Sequence, residues 1–390
     1  MRITQNMLIR NNLNYISNNY ERYGEILDQV NSNKKITRPS QDPVIAIKGM
    51  EYRSQVVEVE QFQRNLGEVY SWMDNADATL DETTQVLHRI KELTVQASNE
   101  TYTPDQRNGI AKEVRELQNH LEALANTKVN SKYIFNGTNT STKPVDISKI
   151  GKSISEITAD NQASMVVQYK GKEFTFSEAN SITGPDETGT AYVFKNGDET
   201  LTLTSKEVTT TTDSGDSVTN KEELISYQKG SEDPIDLSFD DVIISEKNAY
   251  STNEQNFGIE IMKGIKINVN IDPQNVFSAE MFRDVSDLIN ALEEPSNNAS
   301  DINKFLSKME NHFDKVTAER SDLGARYNRV ELIQERLGQQ DTIAKKTMSD
   351  NEDIDFEKAV TDLKIQESIH RAALAVGARI IQPTLMDFLR

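Results

Sequence analysis

From Val59 onward the sequence repeats with a period that only a long, one-sided helix satisfies. Val59, Phe62, Leu66, Val69, Met73, Ala76, Leu80, Thr83, Leu87, Ile90, Thr94 and Ala97 are spaced alternately by three and four without a slip. All but Thr83 and Thr94 are apolar, against 36% for the whole chain. This is the seam of a coiled coil, and over this span it predicts a helix roughly 58 Å long. A second seam runs through Ile302, Leu306, Met309, Phe313, Val316, Arg320, Leu323, Tyr327, Val330, Gln334, Leu337, Asp341, Ala344 and Met348, again in phase. Two helices of this length commit the chain to a mainly α fold in which they pair, an elongated rod rather than a ball.

The flanks repeat the theme. Ile9, Leu13, Ile16, Tyr20, Tyr23, Leu27 and Val30 make a shorter seam that ends at Asn31-Ser32-Asn33. Two prolines in Thr37-Arg38-Pro39-Ser40-Gln41-Asp42-Pro43 forbid a continuous helix, and Asp42 before Pro43 reads as an N-cap opening the next one. Thr103-Pro104-Asp105-Gln106 is a capping box that starts a helix carrying Ile110, Val114, Leu117, Leu121 and Leu124. Ser349-Asp350-Asn351-Glu352 has the same pattern and is expected to start the last helix. That helix shows two apolar stripes, one through Phe356, Val360, Leu363, Leu374 and Ile381, the other through Ile365, Ile369, Ala372, Val376 and Ile380. A helix apolar on two faces must be covered on both, and one partner from the same chain covers only one.

Between about 140 and 272 the period changes to two. Val166-Val167-Gln168-Tyr169 and Glu173-Phe174-Thr175-Phe176 flank Lys170-Gly171, and Tyr192-Val193-Phe194 and Leu201-Thr202-Leu203 flank Asn196-Gly197. An alternating run from Ile259 to Ile271 breaks at Lys263-Gly264, and Tyr133-Ile134-Phe135 runs into a turn at Asn136-Gly137. Thr209 to Asp216 reads as an exposed loop. The expected organisation is terminal helical segments at 1–36 and 353–390, disordered in the single chain and folding on assembly, a coiled-coil domain from 37–140 and 275–352, and an inserted β-rich domain at 141–274.

Composition removes several function classes. A net charge of −19 opposes nucleic-acid binding, which needs clustered cations to displace counterions. No run of 18 apolar residues exists to span a bilayer, and Met1-Arg2-Ile3-Thr4-Gln5-Asn6 lacks the apolar core of a signal peptide. Cysteine is absent, which excludes disulfides and thiolate chemistry and fits either a cytosolic protein or one exported unfolded. His88, His120, His312 and His370 form no His-Glu-x-x-His motif and read as surface or partly packed helix residues. Asp353, Asp355 and Glu357 read as acids favoured at a helix N-terminus rather than a cation site. No catalytic, cofactor-binding or metal residues are expected.

Several motifs carry a family resemblance. Arg89-Ile90-Lys91-Glu92-Leu93-Thr94-Val95-Gln96-Ala97-Ser98-Asn99, the stretch from Leu121 to Gly137, and Glu319-Arg320-Ser321-Asp322-Leu323-Gly324-Ala325-Arg326-Tyr327-Asn328-Arg329-Val330 resemble the conserved segments of the flagellin superfamily of axial proteins. The likeness covers about the first 140 and last 110 residues. Where flagellins carry Asn-Ser-Ala-x-Asp-Asp-Ala, this chain has Arg38-Pro39-Ser40-Gln41-Asp42-Pro43, which with Arg53-Ser54-Gln55, Gln63-Arg64-Asn65 and Pro383–Leu389 is similar to the hook–filament junction branch. The resemblance implies a secreted, non-enzymatic structural protein, exported by the flagellar type III route with a cytoplasmic chaperone. It also implies a ring of identical subunits between hook-associated protein 1 and the first flagellin layers. Flagellin itself, or an extracellular binding module on a helical stalk, are the alternatives. On the junction reading, the residues expected at subunit interfaces are Ile9, Leu13, Ile16, Tyr20, Leu27, Leu363, Ile365, Ile369, Val376 and Ile380. Those expected to pack the helical domain are Leu66, Met73, Leu80, Leu87, Leu117, Phe313, Leu323, Tyr327 and Val330.

Overall fold

The computed structural model describes residues 5–183, 187–211, 217–253 and 255–381. The chain is mainly helical with an inserted β domain, and it divides into two compact units, residues 1–64 with 332–390 and residues 65–331. Seven helices are described: α1 (Gln5–Ser32), α2 (Pro43–Ala97), α3 (Pro104–Ala125), α4 (Pro273–Val276), α5 (Ala279–Glu293), α6 (Ala299–Glu352) and α7 (Phe356–Ile381). Helix α2 opens as its sequence dictates, with Asp42 Oδ1 accepting from the Val44 and Ile45 amides. The capping box at Thr103 also forms. The expected restart at Ser349 does not. Helix α6 continues to Glu352, and α7 begins only after Asp355, whose carboxylate accepts from the Lys358 amide.

In residues 65–331 every seam position of α2 from Leu66 to Ala97 is buried, and Trp72, Thr79, Val86 and Leu93 bury a second line seven residues apart. The antiparallel pairing of α2 with α6 is fixed by Tyr70 against Tyr327, by Arg320 with Asp77 and Asp81, and by Lys91 with Glu310. Of the packing residues expected here, Leu66, Met73, Leu80, Leu87, Leu323 and Val330 are buried, while Leu117, Phe313 and Tyr327 are half-buried.

The β domain is one seven-stranded antiparallel sheet ordered β8-β7-β6-β5-β4-β3-β9. Its strands are β3 (Met165–Tyr169), β4 (Lys172–Thr183), β5 (Glu187–Asn196), β6 (Glu199–Thr211), β7 (Ser217–Lys229), β8 (Ile235–Leu237) and β9 (Val242–Glu246). Strands β8 and β9 lie at opposite ends of this order yet are joined by residues 238–241. Such a link reaches at most about 18 Å. In a flat sheet the two edges would be about 29 Å apart. The sheet must therefore roll up. It does: Tyr169 on β3 and Tyr227 on β7, four strands away, have ring centroids 5.1 Å apart. The rolled sheet encloses one core built on Phe174, Phe194, Leu201, Leu203, Ile225 and Ile244. A smaller apolar cluster of Ile243, Ala249, Tyr250 and Ala279 joins it to α5.

The Lys170-Gly171 and Lys263-Gly264 turns form, the latter between β10 (Gly258–Met262) and β11 (Ile265–Asn268). Two sequence readings are corrected. Thr209 to Thr211 extend strand β6 instead of forming a loop, and residues 212–216 lie outside the described residues. The hairpin near 133 turns at Asn130-Ser131, both with positive φ, between β1 (Lys128–Val129) and β2 (Lys132–Tyr133).

Asn136-Gly137 instead forms a buried knot. The Asn136 amide donates to Thr142, its Oδ1 accepts from Ser251, and Asn253 donates to its carbonyl. Gly137 has φ +51°, and a Cβ there would lie 2.8 Å from the Asn253 carbonyl oxygen. Gly137→Ala is expected to cost about 1–3 kcal/mol, read by urea unfolding followed through the single tryptophan, Trp72. Unchanged stability would show that the knot gives way freely.

Candidate assembly surface on the terminal helices

In the unit made of residues 1–64 and 332–390, α1 and α7 lie antiparallel along most of their length. Gly377 meets Asn12 and Ile16, Gln366 donates to the Asn19 carbonyl at 3.2 Å, and His370 sits against the rings of Tyr20 and Tyr23. Lys34 then pairs with Asp353 at 2.7 Å. Near this end Glu352, buried, takes Arg53 at 2.7 Å and Lys34 at 3.2 Å. Hydrogen bonding from Arg53 overrides burial and holds the Glu352 carboxyl below its ordinary pKa. Gly49 makes room for that carboxylate, since a Cβ there would lie 2.6 Å from Oε1. The separation of 299 positions between Arg53 and Glu352 hides this pairing from any local pattern.

The seam between α1 and α7 differs from the expected stripes. On α7 the partly or fully buried line is Ala359, Leu363, Gln366, His370, Ala373 and Gly377, spaced by four and three and mostly small or polar. On α1 it is Ile9, Asn12, Ile16, Asn19, Tyr23, Ile26 and Val30. Every second member of the expected α1 stripe thus turns toward α7, while Leu13, Tyr20 and Leu27 are exposed, although the Tyr20 ring also reaches His370. The cause is geometric. A seven-residue repeat offers two adjacent lines, and a single neighbour takes one of them.

On α7 the outward line is sharper. Ile365, Ile369 and Val376 are 52%, 45% and 52% exposed, and Phe356 and Leu374 are exposed as well. Leu363 is half-buried in the seam, and the Ile380 side chain and Pro383–Leu389 lie outside the described residues, as do Met1–Thr4. The structure therefore leaves Ile9, Ile16 and Leu363 partly buried along the seam within one chain. It leaves Leu13, Tyr20, Leu27, Ile365, Ile369 and Val376 uncovered.

Among the described residues no cluster of three metal-binding side chains occurs, and no helix is long and apolar enough to cross a membrane. His88 and His120 are exposed and near glutamates, but His312 corrects its sequence reading. It is buried and bonds Asp284 at 2.8 Å.

Comparison with known proteins settles the lineage. Residues 3–140 match the bacterial flagellin N-terminal helical region and residues 306–389 the bacterial flagellin C-terminal helical region, together more than half of the chain. The chain belongs to the flagellin superfamily. Within the superfamily it is 26% identical over 193 residues to flagellar hook-associated protein 3 of Salmonella typhimurium, an alignment covering 48% of this chain and 61% of that protein. It is 23% identical over 403 residues to a flagellin of Clostridium tyrobutyricum, covering 98% of this chain and 100% of that one. A provisionally assigned flagellar hook-associated protein from Vibrio parahaemolyticus has the same fold, with a TM-score of 0.51 at 14% identity over 80% of this chain and 100% of its own. In this flagellin-superfamily chain, the rolled β domain falls between the two matched regions.

Proposed function

We propose that this chain is a structural subunit of the bacterial flagellum that forms the junction between hook and filament, and that it is not an enzyme. One observation carries the reading. Helix α7 holds α1 through a mostly small or polar line, and the two helices leave Ile365, Ile369 and Val376 on α7 and Leu13, Tyr20 and Leu27 on α1 exposed. Burying one such side chain is worth about 1.5–3 kcal/mol, so a polymer that covers all six gains what the single chain forgoes. On this reading residues 1–36 and 353–390 are the inner segments of the assembly. The helical parts of 37–140 and 275–352 surround them, and the β domain at 141–274 is the outward part. The partners are further copies in a ring, hook-associated protein 1 on one side and flagellin on the other. Before export by the type III route, a cytoplasmic chaperone covers the same apolar faces. The likeness to hook-associated protein 3 over 193 residues supports this choice.

Ile369→Asp is expected to abolish incorporation into flagella while leaving the helix content of the purified chain within a few per cent, because the side chain is exposed in the monomer. Assembly at the normal level would overturn the role of this face. A second reading, a filament subunit, is favoured by the full-length match to a flagellin. Deleting the gene separates the two. Hooks that persist while flagellin escapes unpolymerised support a junction subunit, whereas the loss of the only polymerising protein supports a filament subunit.

A further inference from the structure

Asparagine is followed by glycine three times in this chain, at Asn108-Gly109, Asn136-Gly137 and Asn196-Gly197. Such a pair reacts with itself wherever the glycine nitrogen can swing onto the asparagine side-chain carbonyl carbon, since glycine has no Cβ to obstruct the approach. The fold gives the three pairs different freedom. Asn108 and Gly109 lie inside helix α3, where each amide bonds the carbonyl four residues back and is held away from the preceding side chain. Asn136 is 4% exposed, its amide donates to the Thr142 carbonyl and hydroxyl, and its Oδ1 accepts from Ser251. Reaction at the first pair requires opening a helix, and at the second, opening the buried knot.

Asn196-Gly197 is free of both restraints. Asn196 ends β5 and pairs with Glu199, the first residue of β6, so Gly197 and Asp198 form a two-residue loop. Asn196, Gly197 and Asp198 are all exposed. Gly197 has φ +59°, and a Cβ there would meet nothing within 4 Å. Its amide enters no turn or loop hydrogen bond among the described residues. One exposed hydrogen bond tethers the Asn196 side chain, from Nδ2 to the Glu173 carbonyl at 2.8 Å, and water replaces such a bond at little cost.

We propose that Asn196 is a site of spontaneous deamidation, with water as the co-reactant. The Gly197 nitrogen gives up its proton to hydroxide and bonds to Asn196 Cγ, the Cγ–Nδ2 bond breaks, and ammonia leaves with a proton taken from water. Water then opens the resulting five-membered imide at either carbonyl and leaves aspartate or isoaspartate. Nothing is oxidised or reduced. Isoaspartate carries the chain through its side-chain carbon, so one extra methylene enters the backbone between β5 and β6. The Asn196–Glu199 pair then falls out of register, and a new carboxylate joins Asp198 and Glu199 at the turn. Just inside it, Phe194 and Leu201 are a fully buried pair of the core, so a loosened turn reaches the interior of the sheet.

The test uses the full chain, held at about pH 8 in 18O-enriched water and digested at low pH. Mass spectrometry of the three Asn-Gly peptides reads the label taken up, and isoaspartyl methyltransferase scores isoaspartate. Conversion at Asn196 in the folded chain is expected to be at least tenfold faster than at Asn108 or Asn136, and a smaller ratio overturns the proposal. In urea the three rates should draw together. A gap that persists there would mean that sequence rather than fold sets the order, which also overturns it. Asn196→Gln tests the consequence. After the same incubation its β5 and β6 amides near the turn should keep their hydrogen-exchange protection, while those of the unaltered chain lose it by at least tenfold. Equal loss in both overturns the link between deamidation and the sheet.

Discussion

Asp284→Ala is expected to destabilise residues 65–331 by about 3–5 kcal/mol at neutral pH, the largest effect of any single polar substitution in this chain. Asp284 is 2% exposed. Its Oδ2 meets His312 Nε2 at 2.8 Å, while Oδ1 accepts from Lys308 at 3.0 Å and from Arg283 at 3.2 Å. Removing the carboxylate strands His312, itself 4% exposed, and the nearly buried Arg283 without their acceptor. Burial works against the charged form of Asp284, but the hydrogen bonds from His312 and Lys308 more than offset it and hold the pKa down to about 2. A folded-state pKa below the unfolded value of 3.8 means that the carboxylate stabilises the fold fully above about pH 4. That contribution is lost as the pH falls toward 2. The gap between wild type and variant, read by denaturant unfolding through buried Trp72, should therefore be wide at pH 7 and narrow between about pH 4 and 2. A gap that stays constant to pH 2 would mean that packing, not charge, is what Asp284 supplies. Lys308→Ala is the control: its side chain is 34% exposed, so it should cost about 1 kcal/mol or less.

This network shows where sequence reading stops. His312 occupies α6 one residue before the seam position Phe313, and nothing local distinguishes it from exposed His88 on α2. Its burial depends on α5 arriving with Asp284, 28 residues away. The long seam of α2 was legible because from Leu66 to Ala97 the buried line and the apolar line coincide. In the terminal helices they separate. There the apolar stripe through Ile9, Leu13, Ile16 and Tyr20 is real, but Asn12 and Asn19 are partly buried beside α7 whereas Leu13 and most of Tyr20 are exposed. Polar residues in a seam are invisible to a search for apolar period, so the sequence showed that a second face needed cover without showing which residues lay on it.

The strands were legible one hairpin at a time. Turn chemistry at Lys170-Gly171 and Lys263-Gly264 marks local pairing, where Lys170, Gly171 and Gly264 take positive φ. The same reasoning failed at Asn136-Gly137, because Asn130-Ser131 supplied the turn earlier and the glycine was needed for contact with Asn253. Closure of the sheet was beyond local signals altogether. It rests on the Tyr169–Tyr227 contact, which joins residues 58 positions apart on strands that are not neighbours.

Closure has an energetic consequence. Because the sheet is rolled, its inward side chains share one interior, and Phe194 on the central strand β5 is fully buried in it with Phe176 5.7 Å away. Phe194→Ala is expected to cost about 3–5 kcal/mol through lost burial and the void left behind. That loss should stay local. The interior of the rolled sheet contains no helix residue from α2, α3, α5 or α6, and its outer face meets α5 through little more than Ile243 and Ala279. The β domain can therefore open while the paired helices stay closed, in the manner of a separate cooperative unit. Hydrogen exchange of the variant should show amides of β4 to β7 losing protection by at least about a hundredfold, with those of α2 near Leu80 and Leu87 unchanged. Equal loss in the helices would mean that the sheet and the helices fold as one, and that the small cluster around Tyr250 couples them far more strongly than its area suggests.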